Sequence, residues 1–494
     1  MSTTLKLITS FSFLIILMLG VPGCKTEPAG DLTESDRQPR ISPDYTDIII
    51  PCNIAPMNFV VKEEGSAYFV RISSGNDIFI RLNSRKAVIR IPLRKWKALL
   101  SANRGRELNI DIYVKQKKSG WIKYKTVTNV ISDAAADPYV TYRLILPGYE
   151  RWSDISIRQR DISSFREWPL IKNSVADGNC VNCHCFNNGR TDDFLFHMRG
   201  NLAGTYFYSG GEFIKINLNT PEMKNGPVYP RWHPSGRFVA FSANNIVQKF
   251  HSADANKVEV SDLESSLLLY DIGENEIMPV DLPEREKYMD TYPEWSPDGR
   301  MMYFCRTPRI GEIYDFRQTR YDLYRVPFDP ASRLFGEPEP VFCASEEAKS
   351  ISFPRISPDG RFLAMVYHDY GCFPVWHKEA DLVLLNLETF AIEKPDLNSD
   401  FSESYHSWSS CSRWLLFASR RDDGLTTRPY MAYIGENGKS GKAFVIPRKN
   451  PEYYNTFLKS FNLPEFSNLK IVTGPGKIRN AVTSGAIQAK WGGK

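Results

Sequence analysis

The segment Tyr292-Pro293-Glu294-Trp295-Ser296-Pro297-Asp298-Gly299-Arg300-Met301-Met302-Tyr303-Phe304 decides the fold, because it recurs. Tyr229 to Phe241 and Phe353 to Met365 repeat its pattern, and Tyr405 to Phe417 is a degenerate copy. Each copy has local logic. Pro presets the first central residue of a tight turn, Asp bonds back to nearby backbone, and Gly relieves the end. An alternating apolar strand follows every turn. Further β-rich stretches continue each unit at Leu267 to Ile272, Tyr321 to Val326, Leu382 to Leu387 and Tyr430 to Ile434. Four short strands per unit, repeated about every 50 to 60 residues, describe a β-propeller. In this reading Asp298 and Asp359 are turn residues, and His233 and His406 hold repeat positions.

The aromatic-Pro-x-Trp-Ser-Pro-Asp-Gly-Arg core resembles that of the TolB-like propeller family, a relative of the WD-repeat proteins, over about residues 190 to 440. An earlier blade is expected from Phe194 to Leu218, which makes five. Ring closure in that family implies a sixth assembled from the chain ends. The expected fold class is all-β: an N-terminal immunoglobulin-like β-sandwich, then a TolB-like β-propeller of five or six blades. The expected boundaries are a signal peptide at 1–23, a flexible tether at 24–44, the sandwich at 45–150, a linker at 151–190, the propeller at 191–445, and a C-terminal extension at 446–494 that could close the ring. Strand-like runs place the sandwich: Tyr68 to Ile72, Asp77 to Leu82, Ala87 to Ile91, Leu108 to Val114 and Val140 to Ile145. One helical stretch, Arg94 to Ser101, interrupts them.

The linker carries Cys180-Val181-Asn182-Cys183-His184. In an exported protein C-x-x-C-H is the attachment pattern for c-type haem. The thiols of Cys180 and Cys183 are spaced to form thioethers with two vinyl groups of one porphyrin, and His184 is placed as the proximal iron ligand. The expected cofactor is one covalent haem c. Met198 is the first candidate for the distal ligand and His197 the alternative, the two pointing to opposite faces of a strand. Met ligation would give the higher reduction potential. Duller readings stay open: a Cys180–Cys183 disulfide or free thiols, or a metal held by Cys180, Cys183, His184 and Cys185. The last is strained, because three consecutive residues do not readily surround one tetrahedral ion.

Export is written at the N-terminus. Lys6 precedes an apolar run from Phe11 to Leu19, too short to span a bilayer. Val21-Pro22-Gly23-Cys24 resembles the lipobox of bacterial lipoproteins, with Pro22 departing from the usual pattern. The resemblance implies cleavage before Cys24 and a lipid anchor on it, hence a membrane partner and a place in the bacterial envelope, at the outer membrane. An ordinary signal peptide with a free Cys24 is the plainer alternative. The net charge of +5 over 494 residues argues against nucleic acid. No G-x-S-x-G, H-E-x-x-H, P-loop or dinucleotide fingerprint occurs, so no catalytic residue is assigned.

Three functions fit. The first is an envelope lipoprotein with one c-type haem, acting in electron transfer or redox or ligand sensing with a protein partner. The second is a propeller that binds protein or glycan, with haem structural or absent. The third is a propeller enzyme with a channel site that no motif marks.

Overall fold

The computed structural model describes residues 27–28, 31–75, 78–117, 120–149, 154–176, 178–254, 256–309, 315–472 and 475–493. The signal peptide and Cys24 lie outside the described residues. Six radial sheets form the propeller. Their innermost strands are Ser460–Ser467, Val181–Asn187, Pro227–Trp232, Tyr288–Trp295, Ser350–Ile356 and Glu403–Trp408. Each packs against the next in that order, and Glu403–Trp408 meets Ser460–Ser467 to close the ring. We number the blades 1 to 6 in the same order.

Each inner strand breaks its ladder at one residue with positive φ: Leu463, Cys183, Tyr229, Tyr292, Phe353 and Tyr405, all between 45° and 55°. A register shift accompanies it in every blade. Such a bulge bends the strand and re-aims the side chain that follows. Two residues beyond the bulge residue, the repeat's charged position faces the channel. In blades 3, 4 and 6 the next residue is a Trp, and it ties neighbouring blades together. Nε1 of Trp295 donates to the carbonyl of Arg231 (3.3 Å), Trp408 to Arg355 (3.0 Å) and Trp232 to Cys185 (3.2 Å). Each such bond contributes about 1 kcal/mol, and leaving a buried donor unmade would cost more. The turn works as read: Ser296 Oγ donates to Asp298 (2.5 Å), whose carboxylate accepts from the Arg300 amide (3.0 Å). Ser357 and Asp359 repeat this arrangement.

The sandwich lies N-terminal to the ring, seven strands over three. Its sheet is mixed: Leu32–Glu34 pairs in parallel with Trp121–Lys123, and Val127–Ser132 with Ile49–Pro51. Helix Leu93–Ala102 closes it by burying Trp96, Leu99 and Leu100. The sandwich docks on blade 6, where Trp414 Nε1 donates to Ala134 O (3.1 Å) and Ser410 bonds Asp137.

Three boundaries differ from expectation. Tyr139–Ile145, read as a sandwich strand, is the second strand of blade 1. Most of the expected linker is strand: Ser156–Asp161 and Glu167–Lys172 complete blade 1, and Val181–Asn187 opens blade 2. Ser460–Ser467 supplies blade 1's inner strand, so the ring is sealed by chain segments from both sides of the repeats. The expected tether is partly ordered, with a strand at Leu32–Glu34 and an ion pair from Arg37 to Glu63 at 2.6 Å. The physical reason is common to them: these strands are completed by partners far along the chain, so their own sequence does not tell which sheet they join. Farther on, Ile487–Gln488 and Lys490–Trp491 add parallel edge strands to blades 2 and 3.

Gly299 and Gly360 hold the same turn position, with φ of 70° and 73°. A Cβ on Gly299 would meet His233 Nε2 at 2.2 Å, whereas on Gly360 its nearest neighbour is Pro297 Cγ at 3.7 Å. Gly299→Ala is expected to cost about 2–5 kcal/mol and Gly360→Ala about 1–2 kcal/mol. Urea midpoints of the two variants check the difference.

Candidate functional site

A cavity of about 740 Å³ occupies the mouth of the central channel. Cys180, Cys183 and His184 all line it. Their placement follows from the repeat. Cys183-His184-Cys185-Phe186 stands in blade 2 where Tyr229-Pro230-Arg231-Trp232 stands in blade 3, with Cys183 at the left-handed bulge. Leu463-Pro464-Glu465-Phe466 is the blade 1 counterpart. That alignment was available in the sequence as a shrunken copy of the aromatic-Pro-x-Trp pattern, and the expected boundaries missed it.

Four of the six bulge residues are aromatic and form one wall. Tyr229 and Tyr292 lie with ring centroids 4.6 Å apart, Tyr292 and Phe353 4.5 Å, and Phe353 and Tyr405 5.1 Å. Blades 1 and 2 place Leu463 and Cys183 there instead, so the aromatic wall is interrupted where the thiols stand. Over the mouth runs a long hairpin, Phe238–Phe250 and Val258–Asp271, whose Ile246, Phe250 and Val260 line the cavity. It is held from blade 5: His377 Nε2 lies 3.3 Å from Glu259, and Tyr370 Oη donates to the same carboxylate (3.0 Å).

The channel-facing position after each bulge makes an ionic floor. Arg231 Nε and Arg355 Nη1 lie 3.1 and 3.3 Å from Glu294 Oε2. Arg231 Nη1 lies 3.6 Å from Cys185 Sγ, and Glu465 accepts from the Phe186 amide at 3.2 Å. Burial pushes the Glu294 and Glu465 carboxyls up to about 7, and the Arg231 guanidinium opposes the rise. Burial pushes the Cys185 thiol up to about 12. Cys185 is thus a protonated thiol engaged with Arg231. Among the described residues no group of three or more His, Cys, Asp or Glu side chains suits a bare metal ion.

His184 is almost fully buried. Its ring nitrogens make no well-aligned hydrogen bond, with Nε2 3.9 Å from Glu465 and the backbone of Thr141 and Leu463 nearby. Burial, with the charge of Arg143, lowers its pKa to about 3. The imidazole is therefore neutral, the form that can give a lone pair to a metal. Cys180 and Cys183 are free thiols, and burial raises the pKa of Cys180.

The two distal candidates separate as strand alternation requires. Met198 pairs with Val181, packs with Phe186, Phe194 and Phe196 in the core between blades 1 and 2, and lines the cavity, as His197 does. His197 turns toward blade 3, with its ring 5.9 Å from Phe241 and Nδ1 2.9 Å from Thr205 Oγ1. Burial lowers its pKa to about 3. His184 faces blade 1, so His184 and His197 stand on opposite faces of one sheet. His368 and His406 are held by protein atoms: His368 Nε2 by Ser352 Oγ (3.0 Å), and His406 Nε2 by the Ala364 carbonyl (2.9 Å).

No family model matches the chain, and no curated protein matches it. Solved structures share the architecture. TolB from Acinetobacter baumannii is 12% identical over 76% of this chain and 85% of its own, with a TM-score of 0.42. Hydrazine synthase from Kuenenia stuttgartiensis is 10% identical over 69% and 48%, also with a TM-score of 0.42. Oligogalacturonate lyase from Vibrio parahaemolyticus is 12% identical over 76% and 100%, with a TM-score of 0.35. The assignment of six blades rests on the strand pairing described above.

Arg231 is the counter-charge of the floor. In Arg231→Gln the buried carboxylates of Glu294 and Glu465 lose it, while both carboxyls are protonated and indifferent below pH 7. Their raised pKa values set the sign: the penalty is small at pH 5 and grows as pH rises through 7. A loss of about 3 kcal/mol at pH 8 is expected, and denaturant titrations at the two pH values check it.

Proposed function

We propose that this chain is an exported, lipid-anchored envelope protein that carries one c-type haem at the mouth of its propeller channel. Cys180 and Cys183 would supply the thioethers and His184 the protein ligand to iron. The observation that carries the reading is that these three side chains line one cavity of about 740 Å³ with Tyr229, Phe353 and Tyr405 of the aromatic wall. That volume lies inside the range of about 300–1,000 Å³ usual for cofactor sites. The residues fit in kind as well. Two thiols are available, the imidazole is neutral and without a well-formed hydrogen bond, and the wall offers flat apolar surface to a planar ring.

Bound haem supplies one-electron chemistry and small-ligand binding at iron. The chain's own residues do the rest. Tyr229, Phe353 and Tyr405 exclude water from one side of the cavity. Ile246, Phe250 and Val260 cover it from above. Arg143 and Arg231 place positive charge near the cavity and so disfavour further cationic charge inside. Met198 and His197 both line the same cavity as His184, so electron carriage and redox or ligand sensing both belong to this reading. The ionic floor of Arg231, Glu294, Arg355 and Glu465 also supports a second reading, in which the channel binds a small polar ligand and haem is structural or absent.

Expression with a cytochrome maturation system, followed by intact-mass measurement, tests the proposal. A mass gain of one haem and a Soret band that survives acid–acetone extraction are expected. Cys180→Ala with Cys183→Ala should lose both. His184→Ala should keep the covalent pigment but shift its absorption and reduction potential. Colourless wild-type protein from such cells would overturn the haem reading and leave the binding-module reading standing.

A further inference from the structure

The chain's charge is gathered in one place. Between Arg81 and Lys125 stand fourteen Lys and Arg against two acidic residues, Glu107 and Asp111, while the whole chain carries only +5. The rest of the protein is therefore net acidic, and the sandwich is the basic part.

Six of these basic residues stand at or beside the edge strand Ile78–Ser84, which pairs only with Ala67–Ser74, while Lys115 and Lys123 lie toward the other edge of the sheet. Arg81 lies on that strand, Arg85 and Lys86 in the turn after it, Arg90 just beyond, and Arg94 and Lys95 on the helix that packs beside it. All six are exposed. Among the described residues only Lys123 of the whole basic segment enters an ion pair, with Glu34 at 3.3 Å. The basic field is not neutralised from within.

Two large apolar side chains stand exposed in it, Phe79 (42%) and Leu93 (38%). The pleat sends Ile72 and Ile80 into the core and puts Arg71, Phe79 and Arg81 on the outer face. The Arg81 guanidinium sits 4.2 Å from the Phe79 ring centroid and that of Arg71 5.9 Å. Arg71 also pairs with Glu27 at 3.1 Å. The N-terminal segment thus reaches the fold on this same face, and Cys24, three residues earlier, is at most about 11 Å of chain away.

We propose that this face of the sandwich docks on an anionic lipid headgroup layer, with Phe79 and Leu93 at the boundary between headgroups and acyl chains. Basic side chains near an anionic surface and a few exposed apolar ones are what interfacial attachment requires. A soluble polyanion would use the charges but give Phe79 and Leu93 nothing to contact. The inference rests on the envelope and anchoring half of the reading above, and not on haem.

The test uses the mature chain from residue 24 carrying Cys24→Ser, which cannot bear lipid. It is sedimented with vesicles of phosphatidylglycerol and phosphatidylcholine, and with phosphatidylcholine alone, at low and high salt. Sedimentation with the anionic vesicles only, released by salt, is expected. Arg81→Glu, Arg85→Glu and Lys86→Glu together should weaken it on the order of a hundredfold at unchanged melting temperature. No binding to anionic vesicles at low salt would overturn the proposal, as would equal binding to both vesicle types. So would heparin binding tighter than vesicle binding, which would assign the face to a polyanion. The intact mass of the wild-type chain separately reports whether Cys24 is lipidated, so failure of the anchor and failure of the docking face are told apart.

Discussion

The constraint beneath the whole structure is a left-handed residue in each of six inner strands. A residue with φ near +50° is uncommon outside glycine, and for an aromatic side chain it carries a conformational cost of about 1–3 kcal/mol that surrounding structure must offset. Here it is repeated six times. Each bulge turns the following residues so that one reaches the channel and the next lies against the neighbouring blade. In blades 3, 4 and 6 a Trp there holds that neighbour by a backbone carbonyl, the carbonyl of the residue that faces the channel. Blade adhesion and channel lining are thus one device.

The candidate site is a local exception within that device. In blades 3 to 6 the bulge is Tyr or Phe, and the rings pack into a continuous wall. Cys183 and Leu463 are too small to extend it. The space left beside them joins the cavity, so the residue that would hold a cofactor is also the one whose small size helps make room for it. Two residues along, Cys185 and Glu465 take the floor positions that Arg231, Glu294 and Arg355 fill in blades 3 to 5. The floor is consequently a graded set of charges, in which two carboxyls titrate near neutrality and a thiol stays protonated.

Legibility followed sequence distance. The Ser-Pro-Asp-Gly turns and the strands after them read directly, since turn chemistry is settled within a few residues. The early blade from Phe194 to Leu218 also read directly, because its strands alternate. The inner strand Ser460–Ser467 did not: its neighbours are Tyr139–Ile145 and Glu403–Trp408, and without them its apolar residues show no clear period. The same blindness placed Cys180 to His184 in a linker. The separation of Met198 from His197 was foreseeable from alternation, but the direction each faces required knowing which blades flank the sheet.

By itself, the sequence determined that turns recur with propeller spacing, that Cys180, Cys183 and His184 stand in C-x-x-C-H order, and that Lys6 precedes an apolar run from Phe11 to Leu19. Only the tertiary structure decided that this motif is the bulge of a blade, that its side chains share a cavity with three of the aromatic bulge residues, and that six basic residues stand about one edge of the sandwich. The physical reason is ring closure. Gln159 Nε2 bonds Ser467 Oγ across 308 positions, and until such pairings form, no local pattern specifies which side chains look into the channel and which into solvent.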